Sequence, residues 1–427
     1  PAYKDSGVEW LGEIPQHWDA LKTKRLTLVK RGASPRPIDD PIYFDDEGDY
    51  SWVRISDVTA SDKYLLTTEQ KLSEIGKSKS VPLEPGELFL SIAASVGKPI
   101  ITRIKCCIHD GFVYFVGLKQ NREYLFYLFR GGSLYTGLGK TGTQLNLNTD
   151  TIGDIKIPIP PLAEQRAIAA FLDRETGRLD TLVAKKERLL ELLQEQRAAL
   201  ISHAVTKGLD RTAPMKDSGV EWLGEIPAHW EIIRLKNVVQ INPEVLQENT
   251  DSEYQIKYLD ISNVETGGNV LEFQEMVFAN APSRARRKVK HGDTVISTVR
   301  TYLKAISFID NPPGNLIVST GFAVLRPESS IAPEYLFRIV QSEEFVSRVV
   351  AYSVGVSYPA IAPTELASLK IWIPPLAEQR AIAAFLDRET AKIDTLVKKI
   401  EEGIARLKEY RAALISAAVT GKIDVRL

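Results

Sequence analysis

The chain has 427 residues, 44% of them hydrophobic and 26% charged, and its net charge is −1. That is room for two to four domains of ordinary soluble composition, and the neutral total singles out neither a nucleic-acid nor an acidic partner. The polar opening Pro1–Asp5 lacks an apolar signal core and no run reaches eighteen apolar residues, which predicts a soluble, cytoplasmic protein. Cys106 and Cys107 are adjacent and ill-placed for a relaxed disulfide, so reduced thiols in a strand are expected.

In chain order, the first element is a tag, KDSGVEWLGEIP at Lys4–Pro15. Its glycines, proline and isolated aromatics predict an irregular segment that packs Trp10 and Trp18 against something apolar. The tag recurs at Lys216–Pro227, and both copies continue to a His-Trp pair, His17-Trp18 and His229-Trp230. Each histidine reads as a packed, hydrogen-bonded side chain, since no cysteine or acidic ligand recurs at metal-site spacing.

The segment Asp19–Ile157 follows. Pro35, Pro37 and Pro41 with the acidic turn Asp45–Asp49 predict a long loop, and Glu87–Ile92 and His109–Leu118 predict buried strands. Arg122–Phe129 has helical spacing.

Next comes PPLAEQRAIAAFLDRET at Pro160–Thr176, which returns letter for letter at Pro374–Thr390, 214 positions on. A repeat of that length makes the chain a tandem duplication. Leu162, Ile168, Leu172, Leu179, Leu182, Leu189 and Leu193 give the first copy a heptad-like apolar stripe. Leu376, Ile382, Leu386, Ile393, Leu396, Ile400 and Leu407 do the same in the second. Each heptad helix is expected to span about 29 residues, about 43 Å, and to end at Gly208 or Gly421.

Between the copies lies a second middle, Glu231–Ile371, with predicted strands at Thr294–Thr298 and Ile317–Leu325 and a helix over Pro333–Val349. It matches the first middle faintly but in order. Ile55–Val58 aligns with Ile261–Val264, Gly86–Ser91 with Gly292–Ser297, Gly111-Phe112 with Gly321-Phe322, and Glu123–Phe126 with Glu334–Phe337. The fold class expected is α/β (mixed α+β): two globular lobes joined by two long antiparallel coiled-coil helices in a pseudo-two-fold repeat. Boundaries are expected at 1–158, 159–210, 211–372 and 373–427.

Catalytic patterns are scarce. No P-loop, HExxH, CxxC or GxSxG occurs. Asn311-Pro-Pro-Gly314 superficially resembles the Asn-Pro-Pro-aromatic element of adenine methyltransferases, but glycine replaces the aromatic and the stretch reads as a hairpin turn. A duplicated enzyme should keep its chemistry in matching positions, and here those positions are helix and packing residues. The sequence therefore reads as a binding protein.

Basic residues cluster despite the neutral total, and such clusters attract phosphates. Duplex DNA repeats its groove every ~34 Å, a scale two lobes on a rod can match. Candidate DNA contacts are Arg31, Ser34 and Arg36; Ser95 and Lys98; and Thr143, Gln144 and Asn146 before the first Pro-Pro. In the second half they are Arg284, Arg286, Arg287 and Lys288; Arg300, Tyr302 and Lys304; and Ser357 and Tyr358. Gln and Asn pair bidentately with adenine, Arg and Lys with guanine.

The two tags KDSGVEWLGEIP-x-HW, the two variable lobes and the two IPPLAEQRAIAAFLD helices together resemble the specificity subunit (HsdS) of type I restriction-modification systems, over essentially the whole chain. The resemblance implies that each lobe is a target recognition domain reading one half of a bipartite double-stranded DNA site. It implies that the helices set the spacer, and that the repeats dock two methyltransferase (modification) subunits, with restriction/translocase subunits joining the full complex. It also implies a non-catalytic chain that binds no cofactor itself, S-adenosylmethionine, ATP and Mg belonging to partner subunits. Val356–Pro359 departs from the first half, lacking its Thr-Gln-Leu-Asn, so equivalent base contacts are not expected there. A scaffold holding two protein partners without DNA and a degenerate DNA methyltransferase stay open as other readings.

Overall fold

Both Pro-Pro repeats start a helix, because a proline ring presets the helical φ where no amide donor is needed. The computed structural model describes residues 2–93, 96–135, 147–265, 267–355 and 359–425. The central helix runs Leu162–Lys207 for 46 residues and the C-terminal helix Leu376–Val419 for 44. At 1.5 Å per residue the central helix is about 69 Å long. The expected 29 residues fall short because nothing after Thr176 breaks the helix. Gly177 costs only about 1 kcal/mol of propensity, and Ala391 takes its place in the second copy. Gly208 and Gly421 follow the helix ends with φ of 74° and 75°, the left-handed cap expected of them. At Gly421 a side chain would strike Pro15, 2.5 Å away.

The chain divides into two units, Pro1–Glu187 with Glu402–Leu427, and Arg188–Glu401. Each holds one tag, one lobe and a part of each long helix. Within each unit the helix segments run antiparallel, as expected. Arg411 grips Asp180 through two bonds of 2.8 and 3.1 Å in the first unit, while Arg197 lies 3.4 Å from Asp394 in the second. The 214-residue repeat makes these the same pair twice.

The inward seam of the central helix steps by four and three through Leu172, Thr176, Leu179, Val183, Lys186, Leu190, Leu193 and Arg197. Leu182, Leu189 and Leu396, expected on the seam, stand outside it at 43%, 42% and 44% exposure. The polar seam residues Thr176, Lys186 and Arg197 hide the true register, because the leucines one position away mark the stripe more loudly. Leu162 is exposed as well, since the seam begins a few turns later. Ile168, Leu193, Ile382, Leu386, Ile393 and Ile400 are buried, and Leu376 and Leu407 half-buried.

The two lobes share one strand order. In the first, Leu28–Arg31, Phe112–Val116, Leu88–Ser91, Pro99–Thr102 and Tyr64–Leu65 form one sheet, and Gln70–Leu72, Tyr50–Val53, Cys106–Ile108 and Val81–Leu83 a second. In the second lobe Val239–Ile241, Phe322–Pro327, Thr294–Ser297 and Ile306–Phe308 repeat the order of the first four strands. Gln274–Val277, Gln255–Leu259, Leu316–Ser319 and Ala285–Lys288 repeat that of the second sheet. Leu88–Ser91 and Thr294–Ser297 are buried throughout, as their apolar runs predict. His109–Leu118 and Ile317–Leu325 are not single strands. Each contains a turn at the Gly-Phe pair, where the chain crosses between sheets. Pro333–Val349 likewise splits at Ser342, whose side chain caps Glu343–Ala351. Cys106 and Cys107 are free, buried thiols in a strand, and burial pushes both up to about 12.

The first tag is more regular than expected: Tyr3–Asp5 pairs antiparallel with Glu13–Pro15, its turn eased by Gly7 and Gly12 at φ 64°. Trp18 is buried among Ile168, Leu172 and Ile415, with Trp10 packed against that cluster. His17 Nε2 lies 2.9 Å from Glu164, and His229 Nε2 lies 2.7 Å from Glu378.

Two buried glutamines explain another part of the repeat. Gln165 donates to the Pro160 carbonyl and accepts from the Asn121 amide at 2.9 and 2.8 Å. Gln379 does the same with Pro374 and Ala332 at 2.9 and 2.7 Å. Each thereby ties the Pro-Pro corner to the N-terminus of its lobe's helix, Arg122–Arg130 or Pro333–Gln341. The repeated carboxylate one turn past Ala169 or Ala383 meets different partners. Asp173 accepts from Tyr127 at 2.6 Å and from Lys63, whereas Asp387 accepts from Arg338 at 2.6 Å. The framework is constant and the lobes adapt to it.

Candidate nucleic-acid interface

In each lobe the turn at the Gly-Phe pair brings the chemistry-bearing loops to one end of the sheets. In the first lobe Arg31 pairs with Val113, Ser91 pairs with Phe112, and the Ile92 amide donates to the Gly111 carbonyl at 2.9 Å. Asp110, just before that glycine, gathers the predicted residues. Ser34 donates to its carboxylate at 2.8 Å, Arg36 at 3.2 Å, and Arg31 to its backbone carbonyl. The Ser34 hydrogen bond, helped by Arg31 and His109, holds the Asp110 carboxyl below the usual range against the opposing effect of burial. His109 behind it packs at a tilt against the Phe112 ring, 4.4 Å away, and the Trp52 ring, 5.9 Å away, and burial lowers its basicity.

Lys98 reaches the Thr59 carbonyl at 3.0 Å, and burial with Arg130 nearby lowers its pKa. Gly97 adopts φ 84° directly beneath the Tyr135 ring, whose hydroxyl donates to its carbonyl at 3.2 Å. This contact joins the Lys98 loop to the chain leading toward the first Pro-Pro. Ser95, Thr143, Gln144 and Asn146 lie outside the described residues, as do Ser357 and Tyr358.

The second lobe builds the same end differently. The Thr298 amide donates to Gly321 and the Thr320 amide to Arg284, so Arg284 and the loop after Ser297 meet at the turn. Arg284 donates to the Tyr258 hydroxyl at 3.0 Å and pairs with Asp260, contacts that raise its pKa. The other three cations of the cluster spread along the strand Ala285–Lys288. Arg286 stacks over Phe278 at 4.8 Å. Arg287 is half-buried, donates to Thr320, and is made less basic by burial. Lys288 pairs with Ile317, toward the far end of the strand. The strand bulges between Ala285 and Arg287, and Arg287 reaches back to Thr320 beside Arg284, whereas Arg286 and Lys288 engage other partners.

Arg300, Tyr302 and Lys304 sit on one short turn. Arg300 and Lys304 have φ of 50° and 52° and flank the single turn Thr301–Leu303. Such backbone costs on the order of 1–3 kcal/mol per residue, and cross-links hold it. The Arg300 amide donates to Pro359 at 2.8 Å, Thr301 shares a hydrogen bond with Ser353 at 2.8 Å, and Lys304 meets Glu343 at 2.8 Å. Ser353, Pro359 and Glu343 thus hold this turn in place. Asn311-Pro-Pro-Gly314 is a turn, with the Leu316 amide donating to Pro313 at 2.9 Å.

Sequence reasoning missed Asp110, Asp260 and Glu343, the carboxylates that orient these cations. The signal for Asp110 was its place before a matched Gly-Phe pair. Asp260 similarly precedes the matched Ile261–Val264 stretch.

A model of the type I restriction modification DNA specificity domain matches residues 28–192 and again 227–406, most of the chain. The MjaVIII specificity subunit of Methanocaldococcus jannaschii is 25% identical, covering 97% of this chain and 94% of its own length. The EcoKI specificity subunit of Escherichia coli K12 is 22% identical over 97% and 91%. Among solved structures, a chain of a type I restriction-modification system studied for its complex assembly matches with TM-score 0.73 at 18% identity, covering 96% and 99%. The HsdS subunit of Thermoanaerobacter tengcongensis matches with TM-score 0.52 at 19% identity, covering 96% and 98%. The two matched segments coincide with the two repeated halves, and the chain belongs to the HsdS family, the DNA sequence-specificity subunits of type I restriction-modification systems.

Proposed function

We propose that each lobe reads one half of a two-part DNA site through the loops at its Gly-Phe end, and that the paired helices set the distance between the halves. One observation carries this: the lobes keep one strand order while their end loops differ in length, charge and apolar character. A shared frame with divergent loops suits two readers of different sequences.

The repeat also keeps identical residues that packing does not demand. Arg166 and Arg380, Ala170 and Ala384, and Arg174 and Arg388 are exposed in both copies. Arg174 lies over Phe171 and Arg388 over Phe385, each at 5.5 Å. The same surface presented twice supports docking of two copies of one partner, the modification subunit, with restriction subunits joining the larger complex. S-adenosylmethionine, ATP and Mg belong to those partners, and this chain catalyses no step.

The test is methyl transfer from labelled S-adenosylmethionine to duplex DNA. The isolated chain is expected to transfer none, and adding modification subunits is expected to start the reaction. Transfer by the chain alone would overturn the non-catalytic reading.

A further inference from the structure

We infer that Tyr302 and Leu303 of the second lobe read thymine methyl groups in the major groove. This rests on the reading that the lobe binds DNA. Thr301 is buried and tied to Ser353, which leaves Tyr302 and Leu303 standing out at 53% and 43% exposure. Beside them Tyr352 and Val354 are exposed at 50% and 81%, and Val354 and Val299 both bridge to Ala360. The Thr301–Ser353 bond joins the two segments that carry these four exposed apolar side chains, and apolar surface exposed in this way marks an interaction site.

The surroundings favour DNA as the occupant. Arg300 and Lys304 close the turn at both ends, and Arg284 sits at the same end of the sheets. An apolar step beside cations that carboxylates already orient suits a polyanion that also offers an apolar edge. In the major groove of DNA that edge is the thymine methyl. The two left-handed residues hold the turn in a shape that an ordinary chain would relax, which is expected where a surface must be presented rigidly. In the first lobe the equivalent loop has Val96 half-buried, followed by Gly97 and Lys98, so its described residues offer no such step. The two half-sites should therefore differ in chemistry.

The experiment uses the chain assembled with its modification subunits. The methylated motif is mapped by sequencing, and duplexes are made in which each thymine is replaced by deoxyuridine, which lacks the methyl. Losing one buried methyl contact should weaken binding about fourfold, at one or two positions confined to one half-site. The double variant Tyr302→Ser, Leu303→Ser should be insensitive to the same replacement and should relax the motif at those positions. Its other half-site should stay intact, which certifies folding and assembly. The inference is overturned if the affected half contains no such thymine, if variant and wild type respond alike, or if the variant loses both halves together. Equal binding of the wild-type assembly to specific and random duplex would instead sink the DNA reading on which it rests.

Discussion

Adding one heptad to each long helix, between Glu187 and Arg188 and between Glu401 and Glu402, is expected to lengthen the spacer of the recognised site by about three base pairs. One heptad adds about 10.5 Å of helix, and duplex DNA rises about 3.4 Å per base pair. The two insertion points are neighbours, since a side-chain carbon at Gly403 would sit 3.2 Å from Lys186 Nζ. A seven-residue insertion also respects the four-three stepping of the seam. The pairs Asp180–Arg411 and Arg197–Asp394 therefore re-form on either side of the added turns. Sequencing of methylated DNA from a host expressing the altered chain reads the gap directly. An unchanged gap with full methylation would remove the helices from any measuring role.

The second large effect is on stability. Trp372→Ala is expected to cost about 3–5 kcal/mol. Trp372 is fully buried, and its ring lies 5.9 Å from Trp222 of the second tag. Its indole donates to the Val205 carbonyl near the end of the central helix, and its own carbonyl accepts from Tyr335 at 3.1 Å. Its ring thus fastens tag and helix, and its backbone the lobe, in the second unit. Trp372→Phe keeps most of the volume and loses one hydrogen bond, so its cost should be about 1 kcal/mol. The first unit has Pro158 at this repeat position and should unfold unaltered. Denaturant unfolding of the full chain measures both variants, and an equal, small loss in each would contradict the role assigned to the ring.

The framework was legible because repetition exposes it. Gln165 and Gln379 sit in identical words, His17 and His229 each follow a copy of the tag, and Gly208 and Gly421 end comparable ones, and like words fold alike. The strand pairs built on Gly86–Ser91 and Gly292–Ser297 were legible from apolar runs alone. Other features were hidden by physics that one-dimensional patterns lack. The helix seam passes through Thr176, Lys186 and Arg197, so the leucine stripe pointed one position away. The basic run Arg284–Lys288 showed neither its bulge nor that Arg284 and Arg287 meet at Thr320. Asp110 became visible only when the fold carried it to Ser34 and Arg36, residues more than seventy positions earlier. Tyr352 and Val354 gave no periodic signal, because an exposed apolar residue follows no rule except that of its partner.

Each lobe is expected to read its own half-site. The decisive measurement is the methylated motif of a chimera in which residues 231–371 are replaced by a second copy of residues 19–157, assembled with the same modification subunits. The prediction is a two-part motif made of the first half-site twice, with the original second half-site gone. A chimera that still methylates the original motif would contradict it.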